Sequence, residues 1–267
     1  MVTELQIGTF ARSNEQIDSA IENNADFVDL RMDLHHSIDF EAARNTLRQA
    51  GIPITLHLPS SPDWKPIDVS QEILPYIDLG RQIDAELVTM HTTLSSLFYS
   101  DDDIDSFLQG IRPACEAAQA AGVQLAIENL GLLYTEMALL FDQEPYIKMA
   151  LDIGHGQIMA IRNRALDHIE SFYDRIMMVN VHDNHGRDMI EEVVGMRKKG
   201  RLSRKEIREL AKKYDEHLCI GEGIIDFETI FRQLKERGYD GKFLMMCADP
   251  LRFPEERAKF LDIWNSL

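Results

Sequence analysis

Eight short runs rich in β-branched and bulky apolar residues recur along this chain, each parted from the next by a longer segment of helical period. The runs are Leu5 to Phe10, Phe27 to Met32, Ile52 to His57, Leu87 to His91, Val123 to Glu128, Ile147 to Asp152, Ile176 to His182 and Lys242 to Cys247. Between them the spacing predicts helices such as Asn14 to Asn23, Phe40 to Ala50, Ile73 to Ile83, Ile104 to Ala121, Ser203 to Tyr214 and Phe227 to Glu236. Strands that alternate with helices form a parallel sheet, because a parallel pair needs a long crossover. Eight such units with right-handed crossovers close most simply into an α/β barrel of the (β/α)8 TIM type. An open doubly wound sheet is the rival, but no GxGxxG follows the first run.

Gly51, Gly122 and Gly238 each stand just past a predicted helix, where a left-handed residue closes the last turn. The 267 residues suit one barrel spanning residues 1–267 as a single domain. One stretch breaks the rhythm. Asn184 to Tyr214 is too long for a plain loop, and Ser203-Arg-Lys-Glu206 has the form of a capping box. An inserted lid over about 184–214, carrying a helix, is expected there.

A formal charge of −17 repels polyanions in general, which disfavours DNA as a partner. Residues 187–213 run against this trend, with ten Lys and Arg against five Asp and Glu, a local +5 that leaves −22 elsewhere. This segment could meet an anionic substrate or could be a solvated helix face. The start of the chain has no basic and apolar leader, and no apolar run is long enough to cross a bilayer, so a cytoplasmic protein with no membrane partner is expected. Cys115, Cys219 and Cys247 are odd in number and lack CxxC spacing, which predicts reduced, buried thiols.

Functional groups of such barrels come from the C-terminal strand ends. Runs three to seven finish in His57, His91, Glu128-Asn129, Asp152 and His182-Asp183. A lone strand-end histidine is most often structural. Five ionisable ends converging on one axis would be costly to bury unless a cation neutralised the carboxylates and bound the imidazoles. His155 just past Asp152, and Asp215 with His217, join the set. Imidazole with carboxylate suits Zn²⁺ first, or Mn²⁺ or Fe²⁺, in one to three ions. His35, His36 and His168 lie away from strand ends and read as surface or structural residues, and His185 is undecided. Arg31 and Asp33, ending run two, either hold a substrate or pair with each other.

The series His57, His91, Glu128-Asn129, Asp152-Ile-Gly-His155, Val181-His182-Asp183, Asp215-Glu-His217 and Gly221-Glu-Gly-Ile-Ile-Asp-Phe227 resembles the xylose-isomerase-like barrels, which include endonuclease IV and many sugar isomerases and epimerases. The resemblance implies up to three metal positions: His57, His91 and Glu128; Glu128, Asp152 and His182; and His155, Asp215 and His217. The isomerases of this group use a single ion and a further glutamate on strand eight. Here that position reads Met246. An isomerase loses an acid/base partner with that glutamate, whereas a multinuclear hydrolase loses one ligand of several.

The first expectation is therefore metal-assisted hydrolysis of a phosphoester, on a small phosphorylated molecule or abasic DNA, with Glu128, His155 and Arg31 facing the substrate. The alternative is a sugar isomerase or epimerase with one divalent ion and Glu128 as base. Asp26-Phe-Val-Asp-Leu-Arg-Met-Asp33 is similar to the early strand of type I dehydroquinases, but run seven lacks the lysine that chemistry needs. A non-catalytic descendant with a structural metal is the remaining reading.

Overall fold

The computed structural model describes residues 5–61, 64–92, 94–96, 98–129, 134–200 and 202–267. Eight parallel strands close a barrel in sequence order: β1 (Gln6–Ala11), β2 (Val28–Arg31), β3 (Ile54–His57), β4 (Leu87–Met90), β5 (Leu125–Glu128), β6 (Lys148–Asp152), β7 (Ile176–Val181) and β8 (Lys242–Met245). Each falls on one of the eight predicted runs.

Strand alternation divides the side chains into two populations. Ile127, Leu151, Val179 and Phe243 join the large core between sheet and helices. Their neighbours Ala126, Ala150, Met178 and Leu244 form a separate cluster with Phe10, Phe27, Leu87 and Met246 inside the barrel. Two residues further along, on the same inward side, come Glu128, Asp152 and Asn180. The apolar cluster thus plugs the barrel beneath, and the ionisable layer lies above it at the C-terminal strand ends, with little apolar bulk under it at Ala126 and Ala150.

The helices Phe40–Ala50 and Phe227–Glu236 match their predicted ranges. Gly51, Gly122 and Gly238 all take positive φ, as their helix-closing positions require. The predicted helix Ile104 to Ala121 is instead two, Asp101–Gly110 and Arg112–Ala121. Pro113 explains the break, since proline has no N–H to continue the ladder and fits only a first turn. Ile73 to Ile83 divides into a 3₁₀ turn at Leu74–Tyr76 and a helix at Ile77–Gln82, with Pro75 at the start.

Residues 184–214 hold two helices where one was expected: Met189–Lys199, and Arg204–Tyr214 opened by the Ser203–Glu206 capping box. They pack together through Met189, Val193, Ile207 and Leu210. Arg201, one of the ten basic residues of this segment, lies outside the described residues. Arg197, Lys198 and Lys199 occupy the last turn of the first helix, where its dipole favours cations.

The expectation of three reduced thiols is overturned. Cys219 and Cys247 form a disulfide with their Cα atoms 4.8 Å apart. Spacing could not reveal it, because the fold brings the loop after Arg204–Tyr214 against the end of β8. Cys115 is free and buried, and burial pushes its thiol up to about 12. Among the described residues, no helix is long and apolar enough to cross a membrane.

Candidate metal centre

The eight sequence-predicted ligand residues meet at the mouth of the barrel in three adjoining groups. The first is His57, His91 and Glu128. His57 Nδ1 donates to the Leu58 carbonyl at 2.8 Å, and its Nε2 stands 3.4 Å from Glu128 Oε1. His91 Nδ1 stands 2.9 Å from that same Nε2 and 3.7 Å from Glu128 Oε2. Two imidazole nitrogens so close require a proton or a cation between them.

The second group is His155, His182, Asp215 and His217. His155 Nε2 lies 3.5 Å from Asp215 Oδ2, and His217 Nε2 lies 3.6 Å from Asp215 Oδ1. The rings of His182 and His217 stack at 3.9 Å. His217 has a φ of +50°, an uncommon conformation for a residue with a Cβ, and its Nδ1 donates to the Met246 carbonyl at 3.0 Å. The outer nitrogen is thereby tied to backbone and the inner one freed, the tautomer a metal-binding histidine needs. Glu128, Asp152 and His155 form a third group that joins the other two.

Local sequence explains this convergence. Asp152 ends β6 and caps the single helical turn Ile153–Gln157, accepting from the His155 amide at 2.7 Å. That cap turns His155 back over the strand. Asn129 clamps Asp152 through both backbone groups, at 2.6 and 2.9 Å. A Cβ on Gly154 would run into the His182 ring, so only glycine fits there. Asp183 accepts from the amides of Gly221, Gly223 and Ile225 at 3.0, 2.9 and 3.1 Å, holding the loop that follows the Asp215–His217 segment.

Three carboxylates, Glu128, Asp152 and Asp215, share the centre with its histidines. Burial would lift Glu128, but His57 and Arg31 hold it well below the usual carboxylate range. Burial would depress His155, yet Asp152 and Asp215 push it up to about 10. Burial and the neighbouring His57 bring His91 down to about 4. Glu128 Oε2, His155 Nδ1 and Asp215 Oδ1 are buried without a hydrogen-bond partner. Orphaned, inward-facing nitrogen and oxygen atoms of this kind fit divalent ions of the zinc type at the first two groups.

The space between Glu128 and β8 is filled differently. Arg31, only 2% exposed, donates to Met246 Sδ at 3.3 Å and to Asp29 at 3.4 Å, and stands 3.7 Å from Glu128 Oε1. It also pairs with Asp33 at 3.0 Å, so the paired reading of Arg31 holds, although the residue still lines the cavity. Asn180, which sequence reasoning passed over, donates to Glu128 Oε1 at 2.8 Å and approaches Asp152 Oδ2 at 3.3 Å. Its inward register beside two strand-end carboxylates was the available signal.

The remaining histidines belong to none of these groups. His185 is half-buried and pairs with Glu216 at 2.9 Å, His35 is exposed, and His36 packs against Phe40. His168 is buried on Phe172, so it is structural and not a surface residue. A cavity of about 530 Å³ opens over the centre, and its lining includes Glu128, His155, Asp215 and His217 together with Phe98, Met189 and Arg208.

A sequence profile described as xylose isomerase-like TIM barrel matches residues 17–261, and the chain belongs to that family. Among solved structures it is similar to a D-tagatose 3-epimerase-like protein, with TM-score 0.74 and 20% identity over 98% of this chain and 99% of the other. The family 2 AP endonuclease of Brucella melitensis gives 0.66 and 14%, over 97% and 98% of the two chains. The likeness to these structures is one of fold. The Methanocaldococcus jannaschii proteins MJ1614 and MJ1311 are 24% and 23% identical to it, over 60% and 80% of this chain. The matches span 54% and 72% of those two proteins.

Proposed function

We propose that this chain hydrolyses a small phosphoester at a centre of two or more divalent ions, zinc first among them. The observation that carries this reading is the continuity of the ligand groups through Glu128, combined with a methionine against arginine where β8 would otherwise supply a carboxylate. His57, His91 and Glu128 would hold one ion, and His155, His182, Asp215 and His217 another. Ions bound there supply Lewis acidity and an acidified water at neutral pH.

The chain's own residues do the rest. Glu128 Oε2, free of hydrogen-bond partners, is the oxygen able to orient a water. Arg31, locked by Asp29 and Asp33, offers a permanent positive charge beside Glu128 but does not act as a general acid or base near neutral pH. The bulk of the chain, at −22 outside the basic segment, favours a small substrate over a nucleic acid.

Sugar epimerisation is the second reading, supported by the several solved epimerases of similar fold, D-tagatose 3-epimerase-like and L-ribulose 3-epimerase among them. It needs a second acid/base group facing Glu128, which Met246 does not supply. The test is a panel of phosphomonoesters, phosphodiesters, abasic DNA and ketoses with metal-loaded protein. Phosphate release that falls away in Glu128→Gln supports hydrolysis. Solvent deuterium entering a ketose, with no phosphate released from any ester, would sink it.

A further inference from the structure

Five arginine and lysine side chains line the cavity: Arg12, Arg31, Arg164, Arg208 and Lys212. Three have carboxylate partners. Arg12 and Arg31 share Asp33, at 3.1 and 3.0 Å, and Lys212 reaches Glu209 at 3.2 Å. Arg164 and Arg208 have no carboxylate within ion-pair distance among the described residues. Asp167, the acid nearest Arg164 in sequence, is taken by Arg162 at 2.7 Å.

Neutral groups hold both arginines instead. Arg164 donates to the carbonyls of Ile158 and Met159 at 2.9 and 3.1 Å. Arg208 donates to the Tyr99 hydroxyl at 2.8 Å and lies 5.7 Å from the centre of that ring, while its Nε is buried with no partner. Ile158 and Met159 pack on the same apolar cluster that Ile207 and Leu210, flanking Arg208, help to build. A guanidinium fixed by neutral acceptors keeps its charge for a ligand, and apolar walls strengthen that attraction. In a chain carrying 17 more acids than bases, two arginines on one cavity with no ion-pair partner among the described residues stand out.

We propose that Arg164 and Arg208 form an anion subsite at the helix-pair side of the cavity, binding a carboxylate or phosphate group of the substrate other than the group acted on at the histidine–carboxylate centre. The substrate is then a small molecule with two anionic ends and not a neutral sugar. A cavity of about 530 Å³ is roughly 10 Å across, room for one such molecule. The inference rests on the neighbouring centre being where reaction occurs, but its test does not depend on which reaction that is.

The experiment is calorimetric titration of the full chain with inorganic phosphate and, separately, succinate, before and after chelator treatment. Removing the metal silences anion binding by ions and leaves the arginines. Expected is saturable binding of one of the two anions to the chelated protein, weakened at least tenfold in Arg208→Gln and in Arg164→Gln. The exposed control Lys198→Gln should match the parent. Arg208→Lys, which keeps charge but loses the fork, should fall between. The tighter anion identifies the group. Unchanged metal content and circular dichroism in the variants exclude misfolding as the cause. Absence of binding by either anion, or binding indifferent to both arginine substitutions, overturns the subsite whatever the centre catalyses.

Discussion

The two sides of the barrel mouth handle buried charge in opposite ways. From β3 to β7 the strand ends carry imidazoles and carboxylates whose ligand atoms face one another, several of them without a hydrogen-bond partner. From β8 through β1 to β2 the charges are already closed into a network: Arg12 and Arg31 on Asp33, Arg31 on Asp29, and Thr55 donating to Asp29 at 2.6 Å. Arg31 and its neighbours hold the buried Asp33 well below the usual range, whereas burial raises Asp29 despite its contact with Arg31. Permanent guanidinium charge makes a self-sufficient wall, whereas imidazole makes an exchangeable site.

Substitutions on each side should separate these roles. Glu128→Ala and Asp152→Ala should each strip bound metal and abolish activity while the barrel persists, as read by elemental analysis and circular dichroism. Arg31→Met on the other wall should do the reverse. It leaves Asp29 buried without its cation and lowers stability by about 3–5 kcal/mol in denaturant unfolding, with bound metal retained. Loss of metal but no loss of stability would merge the two walls into one site. Gly154→Ala should cost less, about 1–3 kcal/mol, because a new methyl displaces the His182 ring, and metal affinity should fall with it.

The smallest effects are pH slopes from buried groups outside the centre. Glu256, pushed up to about 7 chiefly by burial, binds more protons folded than unfolded between its ordinary 4.5 and about 7. Stability should therefore fall as pH rises through that window, and Glu256→Gln should remove the fall. His168, brought down to about 4 by burial, has the opposite sign: the unfolded chain binds more protons below 6.5, and stability falls as pH drops toward 4. His168→Ala should flatten that limb and change neither metal content nor activity.

The barrel was legible because short apolar runs alternate with helical segments along nearly all of the chain, and glycines mark several helix ends. The ligand side was legible because its residues sit at strand ends in order. The arginine wall was only half legible. Arg31 and Asp33 could be paired from sequence, but Arg12 enters from β1 and Met246 from β8, contacts that only barrel closure creates. Arg208 was hidden among ten basic residues of a segment read as an insertion carrying one helix, since which face of a helix meets a cavity depends on how a second helix packs. The Cys219–Cys247 bond escaped for the same reason.

The most direct test is elemental analysis of the chain purified without chelators or affinity-resin metal, then reconstituted. A multinuclear centre gives two or more ions per chain, and Glu128→Ala loses them together. A single ion, or none after reconstitution, contradicts it.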